Sequence, residues 1–149
     1  MLKIIYHSQS GSCARLALEA FAGAIKEEGF ETSLIRALDS SVTEISNASG
    51  LLLIASENSG YLAGGMKEFL DRIFYPAIRD SLVLPYALLI SAGNDGREAA
   101  RQAQRILSGI PLKAVMEPLV IRGELTDKSY RRAQDLGLTM AAGLNLGIY

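Results

Sequence analysis

Side chains able to do chemistry gather in three short stretches. The first is HSQSGSC at 7–13, where Ser8, Ser10 and Ser12 alternate around Gly11 between the apolar run LKIIY and an amphipathic stretch beginning ARLALEAFAGAI. A turn of this kind opens a helix, and the free N–H groups and dipole at a helix start favour an anion. The hydroxyls add donors. The loop itself holds no Lys or Arg, the first after it being Arg15, so a phosphate held there would rest on neutral donors and the dipole. The alternative is that Ser10 or Ser12 does no more than cap the helix, although one cap accounts for one serine and not three. The second stretch is SENSGYLAGG at 56–65 and the third SAGNDG at 91–96. Both are rich in Ser, Asn and Gly, which let a backbone approach a ligand closely.

Other chemistries fit poorly. GYLAGGMK at 60–67 nearly matches a phosphate-binding P-loop, but Met66 takes the lysine position and Lys67 arrives one residue late. There is no G-x-G-x-x-G for a dinucleotide and no G-x-S-x-G nucleophile elbow. A Ser–His–acid triad would have to use His7, the single histidine, which reads as a strand-end residue. The single cysteine, Cys13, leaves no internal disulfide and argues against a structural zinc site. Near a helix start Cys13 could be an activated thiolate, but it also falls on the apolar face of that helix. No metal site is expected, and no catalytic residue can be named.

The elements that must position these loops follow from hydrophobic periodicity. Strands are expected at 2–6, 31–36, 50–56, 84–91 and 113–121, the last irregular or at an edge because of Pro118. The first helix buries Cys13, Leu16, Ala17, Ala20, Phe21, Ala24 and Ile25 and ends at Gly29. Residues 37–49 hold at most a short helix, around 41–47. Further helices are expected over 62–79 (Leu62, Met66, Phe69 and Ile73 on one face), 96–109 (Ala99, Ala103, Ile106) and 127–146 (Ala133, Leu136, Met140, Leu144), the last starting at Thr126 or Asp127. Strands apolar throughout imply a parallel sheet covered on both faces. The expectation is one α/β domain over 1–149, doubly wound, with five parallel strands in the order 2-1-3-4-5. Its ligands would bind at the carboxyl edge between strands one and three. The three polar loops converge there.

Composition limits the partners. The chain has 149 residues, is 49% apolar and carries a net charge of −1. That balance offers no footprint for nucleic acid or an anionic membrane. The longest apolar run, LVLPYALLI at 82–90, is well short of the roughly 20 residues of a membrane span. No signal-peptide pattern is seen, so a cytoplasmic location is expected.

SQSGSC at 8–13 resembles the phosphate-binding loop of the flavodoxin-like family. SENSGYLAGGMKEFLDR at 56–72 and SAGNDG at 91–96 resemble the flavin-facing segments of its NAD(P)H-dependent FMN reductases and quinone reductases. The resemblance covers essentially the whole chain. It implies FMN as cofactor, with Ser8, Ser10, Gly11, Ser12 and Cys13 around the phosphate. Ser56, Glu57, Asn58, Ser59, Gly60 and Tyr61 would contact the ring and ribityl chain, and Gly93, Asn94 and Asp95 would close the other side. It further implies electron transfer from NAD(P)H to a quinone, flavin or other small acceptor. A flavodoxin-type carrier, or a domain that has lost FMN and binds a protein partner, are the alternatives. The sequence departs from the pattern at Cys13, in place of the usual threonine, and in having Tyr61 as the sole aromatic of the flavin-facing loops. Members are often dimers or tetramers. Phe74, Tyr75 and Pro76 could join such an interface or pack in the core.

Overall fold

The computed structural model describes all 149 residues, Met1–Tyr149. Five central strands run parallel: β1 (Leu2–Tyr6), β2 (Thr32–Arg36), β3 (Gly50–Asn58), β5 (Leu84–Ala92) and an edge formed by β6 (Leu112–Ala114) and β7 (Leu119–Arg122). Their spatial order is β2-β1-β3-β5-β6, with β7 also on β5. Once β4 (Tyr61–Leu62) is set aside, this is the expected 2-1-3-4-5 order. In-register pairs include Ile4↔Leu34, Ile4↔Leu52 and Leu53↔Leu88.

Connection handedness places the helices. Parallel crossovers are right-handed, so steps in opposite directions along the sheet put their helices on opposite faces. The step from β1 outward to β2 puts α1 (Ser12–Ala24) on one face. The steps the other way put α2 (Val42–Ser46), α3 (Gly64–Arg79) and α4 (Arg97–Leu107) on the other. The last helix, α5 (Asp127–Asn145), lies beside α1. Alternate strand residues therefore feed two cores. Leu51, Leu53 and Ala55 point to α3 and α4, Leu52 and Ile54 to α1 and α5. Each such Leu or Ile, fully buried, contributes about 1.5–3 kcal/mol.

Glycine sets the spacing of α1 against α5. A Cβ on Gly137 would lie 1.9 Å from the Ala20 carbonyl oxygen, and one on Gly23 would lie 2.0 Å from that of Gln134. The Gln134 amide donates to Glu19 at 2.6 Å across the same seam. On the opposite face Arg72 of α3 clasps the β2–α2 connection. Its guanidinium donates to the carbonyls of Ser40 and, at 2.9 Å, Ala37, while Glu68 pairs with it at 2.8 Å.

Several boundaries differ from the expectation. The fifth strand is split around Pro118, which has no N–H for a ladder. The first helix ends at Ala24. Gly29 is left-handed (φ 76°) as a terminator should be, but only after an irregular turn that leaves Ile25 exposed. Strand three runs on to Asn58 and returns as β4 through a tight hairpin. Ser59 (φ 51°) and Gly60 (φ 79°) supply the two positive φ angles of a primed turn. Leu62 accordingly belongs to β4, and α3 begins two residues later. Ile106 and Leu144 are only partly buried. Thr126 does cap α5, in a reciprocal capping box with Ser129.

Candidate functional site

Three loops at the carboxyl ends of β1, β3 and β5 enclose a cleft of about 400 Å³, within the range of small-molecule sites. Gln9, Ser10 and Ser12 line it from the first loop. Ser56, Glu57 and Asn58 do so from the end of β3, and Ser91, Ala92 and Gly93 from β5 and its loop. Gly123, just past β7, completes the wall.

The start of α1 faces this cleft uncapped. Its N-cap is Gly11 at φ 105°, not Ser10 or Ser12. No side chain caps the helix and its first turn holds no acid. The left-handed conformation explains the glycine, since a side chain there is strained even though space is open around it. Ser8 acts locally, its Oγ accepting from the Gly11 N–H at 3.2 Å. Ser10 and Ser12 are thus left free to meet a ligand along with the unsatisfied N–H groups.

Cys13 lies beneath the cleft. It is 2% exposed. Burial pushes its thiol up to about 12, despite hydrogen bonds with Ser56 and the Ser91 backbone that act the other way. The activated-thiolate reading fails for that reason. Its core-face position matches the alternative.

Cross-links hold the three loops together. The Asn58 side-chain amide donates to Gln9 Oε1 at 3.3 Å, and the Ser56 hydroxyl donates to Asn58 Oδ1 at 3.0 Å. Glu57 Oε2 accepts from the Gly96 N–H at 2.9 Å. The only ionisable group on the cleft wall is therefore engaged by backbone. Asp95 is not on the cleft wall and is held in an ion pair. The Arg97 guanidinium 2.6 Å away holds its carboxyl below the usual range, aided by Arg122. Arg122 also donates to the Asp95 carbonyl at 2.7 Å, tying the third loop to the end of β7.

Of the residues expected from sequence, Ser10, Ser12, Ser56, Glu57, Asn58 and Gly93 share the cleft wall. Gly11 and Cys13 belong to the helix start behind it. Ser59 and Gly60 form the hairpin tip, Tyr61 lines a different groove, and Asn94 and Asp95 lie off the wall. Gln9, Ser91, Ala92 and Gly123 were not singled out in advance. Gln9 sits inside the serine loop, and Gly123 follows the fifth strand at the same sheet edge, so position was the available signal.

No protein-family model and no curated protein matches the sequence. Solved structures do. An archaeal flavodoxin superposes with a TM-score of 0.83 at 21% identity, over 97% of this chain and 98% of that one. The chain has the flavodoxin-like fold. A WrbA-like flavodoxin from Agrobacterium tumefaciens matches it at 0.81 with 14% identity, over 97% of each chain. Rubredoxin oxygen:oxidoreductase from Desulfovibrio gigas matches at 0.82 with 17% identity. There this chain spans only 36% of the longer protein. The order in which strands are added reverses between β1 and β3, the point at which the cleft opens.

Proposed function

We propose that the cleft binds FMN and that the protein is an electron-transfer flavoprotein. The observation that supports this best is the uncapped N-terminus of α1 opening onto the cleft. Ser10, Ser12 and the first-turn N–H groups would hold the phosphate, with Ser8 fixing the loop through Gly11. The residues present fit the group. The donor set is neutral and the one wall carboxylate, Glu57, is turned to Gly96 and not to the phosphate end. Ser56–Asn58 and Ser91–Gly93 would flank the flavin ring with backbone and small side chains. Ala92 is the single apolar residue on the wall, so ring binding would depend on backbone contact and not on stacking.

Bound FMN would supply the redox chemistry, taking electrons from one molecule and passing them to another. The favoured form of this reading is an NAD(P)H-dependent reductase of a quinone, flavin or other small acceptor. A carrier that docks on protein partners usually steers by a strong field, and a net charge of −1 provides none. The test is the visible absorption spectrum after FMN loading and gel filtration, followed by NADH and NADPH oxidation against free FMN. Retained flavin with accelerated oxidation is expected. Colourless protein would refute the cofactor. Retained flavin without accelerated oxidation would refute the reductase and leave a carrier.

A further inference from the structure

A second cavity lies on the outer side of the β3–β4 hairpin, between α3 and α4. It has a volume of about 340 Å³ and is lined by Tyr61, Leu62, Lys67, Gln102, Arg105 and Ile106. It continues into a lobe bounded by Asp71, Phe74, Tyr75, Arg105 and Ile106. Arg105 and Ile106 stand where the two lobes meet. Tyr61 is 67% exposed and Tyr75 77%, so aromatic faces are open at both ends.

The charges on this face are unevenly satisfied. Helices α3 and α4 carry three cations each. Lys67 pairs with Asp71, Arg72 with Glu68, Arg79 with Asp80, Arg97 with Asp95 and Arg101 with Glu98. Arg105 alone has no acidic partner. The negative end of the α4 dipole explains a basic residue in its last turn, but not why its side chain lines an apolar groove with no counter-ion. Gln102 offers a ligand little, because its Oε1 already accepts the Leu62 N–H at 2.7 Å.

We propose that this groove binds a small aromatic carboxylate, with its ring against Tyr61, Leu62 and Ile106 and its carboxylate on Arg105. An Arg fork suits a carboxylate bidentately. Lys67 adds a second cation to the Tyr61 lobe, whereas the Tyr75 lobe is bordered by the Asp71 carboxylate, which assigns the ligand to the Tyr61 lobe. The inference does not depend on FMN.

The test is an amide-resolved NMR titration with 2-naphthoate, its neutral isostere 2-naphthamide as control, on protein with and without added FMN. Naphthoate should shift the Leu62, Gln102, Arg105 and Ile106 amides. Affinity should fall roughly tenfold or more for naphthamide and for Arg105→Gln. Arg105 is exposed, so the variant should keep the wild-type Tm, which checks its folding. Equal binding of acid and amide, or an unaffected Arg105→Gln variant, would overturn the proposal. So would shifts confined to the Ser10–Ser91 cleft. Concentration-dependent shifts of the groove amides without ligand, with a dimer in sedimentation, would assign the groove to a second copy and also overturn it. Failure to retain FMN would leave the naphthoate result intact.

Discussion

Glu57, at the end of β3, accepts the backbone N–H of Gly96, the left-handed residue that opens α4. The contact at 2.9 Å joins the second loop to the third across the mouth of the cleft. One carboxylate thereby satisfies an orphan donor of α4 and sets the gap between the two loops.

Replacing Glu57 tests that role. Glu57→Ala should lower stability by about 1–2 kcal/mol in urea unfolding and weaken FMN binding in a flavin fluorescence titration. Glu57→Gln keeps an acceptor oxygen and should recover most of both. Equal losses in the two variants would mean that the charge matters rather than the bond.

The serine loop makes a prediction of the opposite kind. Because Gly11 and not a serine is the N-cap, the double variant Ser10→Ala/Ser12→Ala should leave FMN-free stability within about 0.5 kcal/mol. Its FMN affinity should fall roughly tenfold as two ligand hydrogen bonds are lost. A large stability loss without FMN would show that the serines serve the fold.

Two glycine substitutions should differ in cost. In Gly137→Ala the new methyl meets the Ala20 backbone carbonyl, and helix α1 must move bodily. A loss of about 3 kcal/mol in chemical denaturation is expected. In Gly65→Ala the methyl meets the His7 imidazole, 2.2 Å from Nδ1. A side chain can rotate where a backbone cannot, so the loss should be clearly smaller.

Cys13 predicts an alkaline dependence. Its thiol is pushed up to about 12 in the folded chain, against an ordinary value of 9.0. Below pH 9 both states keep the proton and the residue adds no slope. Above it the unfolded chain releases the proton while the folded chain holds it, so stability should fall as pH rises from about 9 toward 12. Urea midpoints of wild type and Cys13→Ala across that range should show the wild type losing more. The native thiol should also resist a disulfide reagent at pH 8.

Much of the architecture was legible because β3 and β5 are apolar on consecutive residues, a pattern that only a sheet covered on both faces explains. With the intervening amphipathic helices, that sufficed for strand order and for the edge where the loops meet. The hairpin at Ser59–Gly60 was not legible as such. Asn-Ser-Gly-Tyr suits many turns, and its primed geometry depends on Ser59 accepting a positive φ. The α1 cap was misplaced for a related reason. Serine propensity favoured Ser10 or Ser12, whereas the backbone turns at Gly11 and frees both hydroxyls. Tyr61 was assigned to the flavin side by its sequence neighbours. The return of β4 carries it to the α3–α4 groove instead.

The split outer strand bears on how molecules of this protein meet each other. A long, regular edge invites another chain to add a strand, as in fibre growth. Here that edge is two fragments of three and four residues, interrupted around Pro118, so no continuous row of free donors and acceptors is presented. The opposite edge, β2, is an unbroken five-residue strand. Self-templated sheet extension is thus restricted to one side of the molecule.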